Sequence, residues 1–201
     1  MAQDNYTFLE IRHLVDADLR ALEMESSGVF DKLVLPSIVS GRLHMQERTL
    51  FGYVLVAFSQ IDNLSKAWWV WSDRISQTAR MEAFMRRFLR YQPLAIRLCI
   101  EIWRHGLTHT GNPQEFVDRS SGTQYQWTVD WGRELDPEMG LYLREQENRD
   151  PYISLSILPF VRNLRRGAHD LFLEVGKDLE TSELFADRWN QSLVAAKYIN
   201  S

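Results

Sequence analysis

The chain holds a single cysteine, Cys99, so neither an internal disulfide nor a thiolate metal cage is open to it. Cys99 stands in an apolar, helix-patterned segment, which predicts a buried structural thiol rather than a nucleophile. Long apolar runs are missing as well. The longest, Tyr53 to Phe58, is far too short to span a bilayer. The opening Met-Ala-Gln-Asp-Asn-Tyr-Thr lacks a basic stretch followed by an apolar one, so no secretory signal is read and a cytoplasmic protein without membrane contact is expected. Nor is there a basic excess. The formal net charge is -4, so attraction to a polyanion must come from a local basic surface rather than the overall field. A Gly-rich phosphate loop, a G-x-S-x-G elbow, a Cys–His nucleophile pair in a supporting context and an EF-hand loop are all absent.

What remains is the composition of a folded globular protein, 45% hydrophobic and 25% charged. Its 201 residues suit one domain over 1–201 with a substantial core. The 7 Trp predict a well-filled interior or a sticky interface.

Thr7 is placed to cap a helix whose apolar positions Phe8, Ile11, Leu14, Val15, Leu19 and Leu22 recur at helical spacing, with Ser26-Ser27-Gly28 as its end. Its acids Asp16, Asp18, Glu23 and Glu25 read as a solvated face. A longer pattern, about Ile38 to Trp69, carries Leu50, Val54, Phe58, Ile61 and Leu64. Trp68, Trp69 and Trp71 cluster at its end, as packing residues or, alternatively, as a base-stacking platform. Ser72 and Asp73 resemble a helix start before Ile75–Leu89, and Pro93 suits the first turn of a further helix to about Thr108, forming a helical hairpin across Tyr91-Gln92. After Asn112 the texture changes. Tyr125, Trp127, Val129 and Trp131 alternate with polar residues, and Met139–Arg144 and Tyr152–Ile157 are further strand candidates, giving a small antiparallel β insertion at about 112–157. Helices over Val161–Val175 and about Ser182–Ile199 close the chain. The expected fold is mainly α, a helical bundle with a short β excursion.

Within that frame one run carries chemistry: Arg104-His105-Gly106-Leu107-Thr108-His109, at the end of an apolar helical pattern. A guanidinium is a permanent forked cation suited to phosphate oxygens. An imidazole moves protons near neutral pH. A five-residue step turns about 140° on a regular helix, so Arg104 and His109 converge only if the helix loosens at Gly106 or ends near His109. With Arg104 on a phosphate and His109 in proton transfer, an RNA 2′-hydroxyl can attack its own phosphodiester, with no metal and no cofactor. A symmetric dimer would bring two such pairs together.

The run resembles the R-x4-6-H signature of the HEPN superfamily. That resemblance implies a helical bundle, commonly a homodimer, and a metal-independent endoribonuclease of a toxin–antitoxin or phage-defence system, with a possible cognate regulatory protein. It equally admits a non-catalytic binding module acting through protein or nucleic-acid contacts. By resemblance Arg104 binds the phosphate, His109 transfers protons and His105 takes the supporting polar position, where the family often has Asn or Asp. A second match, Arg162 to His169, has the favoured Asn163 after its arginine, but the first sits among apolar flanks before a loop and is preferred.

Rival readings use the same residues. Glu101, His105 and His109 recur every four residues and form a sensible divalent metal set, though without an evident fourth ligand. Arg104 could instead pair with a carboxylate, and His109 could simply cap the helix end. Arg90 and Arg97 on the hairpin, for which a solvated face is the commoner explanation, and the cluster Arg162, Arg165 and Arg166 are candidate RNA contacts. His13 and His44 are isolated and read as surface or packing residues.

Overall fold

Helix α1, Phe8–Val29, starts where the sequence places it. The Thr7 hydroxyl accepts from the Glu10 amide at 3.4 Å, and the Glu10 carboxylate accepts from the Thr7 amide at 2.8 Å, a reciprocal capping box. The computed structural model that shows this describes residues 5–36, 47–69, 75–107, 113, 115–132, 140–146 and 149–198. Ile11, Val15, Leu19 and Leu22 form α1's buried stripe. The expected stop at Ser26-Ser27-Gly28 is corrected: the helix passes through it and continues as a π-helical turn, Phe30–Val34. The reason is local. Ser26 turns its hydroxyl back onto the Glu23 carbonyl at 3.1 Å, so a residue with breaking tendencies is satisfied inside the helix. A Cβ on Gly28 would meet nothing within 4 Å. Gly28→Ala should therefore stabilise the fold by about 0.5–1 kcal/mol, seen as a higher urea midpoint at unchanged slope.

Helix α2 is Glu47–Trp68, and the earlier part of the expected pattern lies outside the described residues. Leu50, Val54, Phe58, Ile61 and Leu64 are all buried, as their spacing predicts. Helix α3, Gln77–Phe84, is capped by Ser76, whose hydroxyl accepts from the Ala79 amide at 3.2 Å. The expected start at Ser72 and Asp73 lies outside the described residues. The helix rolls into a π-helical turn, Met85–Leu89, and stops at Arg90 with φ 60°. Helix α4, Pro93–Cys99, begins with the proline at its first position and also continues as π-helix, Ile100–His105.

The strands are β1 Phe116–Val117, β2 Gln124–Asp130, β3 Leu141–Gln146 and β4 Arg149–Ser156. They form a mixed sheet in the order β1-β2-β4-β3, which corrects the expected antiparallel arrangement. β3 and β4 are antiparallel, but β4 inserts beside β2 in parallel, with Trp127 opposite Ile153 and Val129 opposite Leu155. Burial explains the choice. Ile153 and Leu155 are fully enclosed, and so are their polar neighbours Ser154 and Ser156, so both faces of β4 are covered, the setting in which parallel pairing is found. The buried serines donate to the Asp130 carboxylate of β2 at 3.3 and 2.7 Å. The short strand β1 carried no alternating pattern and was not expected.

Helix α5, Ile157–Val175, leaves β4 without a linker, and α6, Leu179–Tyr198, completes the described chain. Trp127 of β2 packs on Phe51 of α2, and Trp131 packs on Phe30 and Tyr53, which ties the sheet to the helices through one continuous apolar core. α1 and α5 lie antiparallel. Phe8 meets Phe172 at one end, Asp16 meets Arg165 further along, and Glu23 meets Arg162 beyond that. Among the described residues no helix is long and apolar enough to cross a membrane.

Two of α1's acids therefore do more than face solvent. The Arg165 hydrogen bond, with a smaller one from Arg20, holds the Asp16 carboxyl below the usual carboxylate range. A depressed folded-state value means stability present above the unfolded value of about 3.9 and lost as pH falls through and below it. The pair is partly exposed, so its worth at pH 7 is at most about 1 kcal/mol. The stability gap between wild type and Asp16→Asn should be measurable by urea unfolding at neutral pH and should close by about pH 2.

Candidate functional site

Arg104 sits in the last turn of the π-helical continuation of α4, half-buried against α3. Its guanidinium donates to the side-chain oxygen of Gln77 at 2.5 Å and to Nδ1 of His105 at 3.0 Å. A guanidinium only donates, so Nδ1 of His105 is the acceptor and that ring carries its proton on Nε2. The Gln77 amide is oriented in turn by Asp62 of α2, whose carboxylate accepts from Nε2 of Gln77 at 2.5 Å. The result is a relay from Asp62 through Gln77 to Arg104, fixing the plane of the guanidinium from behind. Among the described residues both direct partners of Arg104 are neutral, and no carboxylate lies within salt-bridge distance of it.

The segment is held rigidly. Trp103 is fully enclosed, as are Ile100 and Ile102, so the side chain next to Arg104 is an anchor in the core. Gly106 is helical, with φ −57°, and buried, so it continues the helix rather than ending it. His105 lies beside Arg104 and meets its guanidinium through Nδ1. His109 lies outside the described residues. So does the third member of the set Glu101, His105, His109, and among the described residues no group of three His, Cys, Asp or Glu could hold a metal ion.

The other basic residues fall on different seams. Arg97 is exposed on α4, 5.8 Å from the Phe116 ring, and adds to the field that lowers the Asp118 carboxyl, after the hydrogen bonds from Ser120. Arg90 stands at the opposite end of α4 from Arg104 and faces Asp170 at 3.8 Å. Arg162 and Arg165 are spent on the α1–α5 seam, against Glu23 and Asp16, and do not join Arg104. Arg166 is an exposed neighbour on the same helix. The second arginine–histidine match is thus divided: Arg162 binds Glu23, while His169 lines a groove further along α5.

Cys99 is fully buried and free, and burial pushes its thiol well up, so it is a packing residue. Trp68 stacks edge-on to Phe88 at 5.0 Å and to Trp69 at 5.6 Å, with Arg87 over its ring, which is a packing role; Trp71 lies outside the described residues.

Gln77 and Asp62 escaped the sequence reading. They stand 27 and 42 positions before Arg104, on other helices, and no local spacing links them. The one usable signal was Ser76, whose capping role places Gln77 in the first turn of α3. No protein-family profile, no curated protein and no solved structure matches the chain.

Proposed function

We propose that the protein is an RNA-directed, metal-independent endoribonuclease of the HEPN type, acting as a homodimer, with Arg104 as its phosphate-binding residue, His105 in support and His109 in proton transfer. One observation carries the reading. A half-buried arginine is ordinarily compensated by a carboxylate. Arg104 is instead held by two neutral acceptors, which orient it and leave its charge for an incoming anion. The nearest acid in the relay, Asp62, acts on it only through Gln77. A fixed cation beside a phosphodiester needs no reorganisation as charge develops on the phosphoryl oxygens.

The test is incubation of purified protein with total RNA in chelator, beside His109→Ala. The expected result is cleavage by the wild type that leaves 2′,3′-cyclic phosphate ends and is lost in the variant. Cleavage that persists in His109→Ala removes that residue from its role, and cleavage that requires a divalent ion overturns the metal-independent reading.

A further inference from the structure

Asp16 and Glu23 of α1 are engaged across the α5 seam, but Asp18 and Glu25 are turned toward α2. They stand seven positions apart, two helical turns or roughly 10 Å along one face. Both line a groove of about 440 Å³ between α1 and α2. The two helices run antiparallel there. At one end Gln60 donates to the Asp18 carboxylate at 3.4 Å. At the other, burial raises the pKa of the Tyr53 hydroxyl and the Glu25 charge raises it further. Between them lie Ala21, Gly52 and Val56, all exposed.

The apolar surface is open to a partner. Val56 is 47% exposed, and Met24, three residues after Ala21 on α1, is 68% exposed. Leu14, one heptad before Ala21 on the same helix, is exposed as well. Single exposed apolar residues are ordinary, but residues gathered along one groove mark a contact surface.

The charge of the groove has one sign. Among the described residues no Lys, Arg or His lines it. Arg20 pairs with Asp16, and Lys32 lies beyond Glu25 in the π-helical turn, outside the lining. Neither Asp18 nor Glu25 has an ion pair among the described residues. A wholly apolar occupant would strand both carboxylates in a desolvated seam. A second copy meeting this face with its own would bring the same acids together. The occupant that fits is apolar on one side and cationic along its edge.

We propose that the α1–α2 groove docks a basic amphipathic helix of a partner protein. Its apolar side chains settle on Ala21, Gly52 and Val56, and two Lys or Arg residues about two turns apart meet Asp18 and Glu25. The groove shares no residue with the Arg104 relay and stands or falls separately from the ribonuclease reading.

The test is calorimetric titration of the full chain with a synthetic helical peptide of about four turns. It carries leucines on one face and arginines seven positions apart on its edge, and its control has glutamates in place of the arginines. Saturable binding of the arginine peptide at a Kd of about 100 μM or tighter is expected, with the control at least about tenfold weaker. Asp18→Asn combined with Glu25→Gln should weaken the arginine peptide about tenfold and flatten its salt dependence. Gly52→Gln separates binding from folding. A Cβ at Gly52 meets nothing within 4 Å, so the substitution should raise the urea midpoint while its side chain blocks the groove and weakens binding about tenfold. No saturation by the arginine peptide, equal binding of the control, or full affinity in either variant would each overturn the proposal. So would self-association that Gly52→Gln abolishes, which would give the groove to a second copy.

Discussion

On the ribonuclease function proposed above, Arg104→Ala should lower the rate of RNA cleavage by about 10²–10³-fold, the usual loss when one preorganised donor to a developing oxyanion is removed. The protein should stay folded. Arg104 is only half-buried, and its two contacts are hydrogen bonds from the edge of the helix rather than core packing. Arg104→Lys is the sharper comparison. It keeps the charge, but an ammonium on a flexible stem cannot reproduce a planar fork that contacts Gln77 and His105 while presenting a face to phosphate. Lysine should recover only a small part of the lost rate. Single-turnover kinetics with a short oligonucleotide, beside urea unfolding of each variant, would read both quantities. Wild-type rates in the folded alanine variant would end the assignment.

The relay behind Arg104 shows where the sequence is legible and where it is not. Helical periodicity is a local property, so α1's stripe, its Thr7 cap and the Pro93 start of α4 could all be read from neighbouring residues. The arginine and its adjacent histidine were legible for the same reason. Gln77 and Asp62 were not, because they reach Arg104 through packing of three helices. The basic cluster around Arg165 fails in the opposite direction. Its charges are visible in the sequence, but the acids that neutralise them come from α1, more than a hundred positions away. Strand pairing follows the same rule. Alternation identified β2 correctly, yet its parallel pairing with β4 joins segments distant in the chain, such as Gln126 and Tyr152, that no local pattern links.

Trp103→Ala should cost about 3–5 kcal/mol, the range for deleting a large aromatic side chain from a closed core. Set against a total stability of about 5–15 kcal/mol, that is enough to unfold much of the population on mild warming. The size of the effect follows from enclosure: Trp103 has no exposed surface, and it lies beside Ile100 and Ile102 in the segment that presents Arg104. Trp103→Phe separates packing from hydrogen bonding. The indole Nε1 is buried with no acceptor among the described residues, so phenylalanine removes volume but also removes an orphaned donor. Its cost should fall well below that of alanine. Urea midpoints of the two variants measure the difference, and equal destabilisation would show that the indole nitrogen, not the volume, is what the core requires. Cleavage by Trp103→Phe should be slower than wild type even at temperatures where it is fully folded. A smaller ring lets the last turn of α4 shift, and a misplacement of about 1 Å at a positioning group is worth up to about 10²-fold in rate.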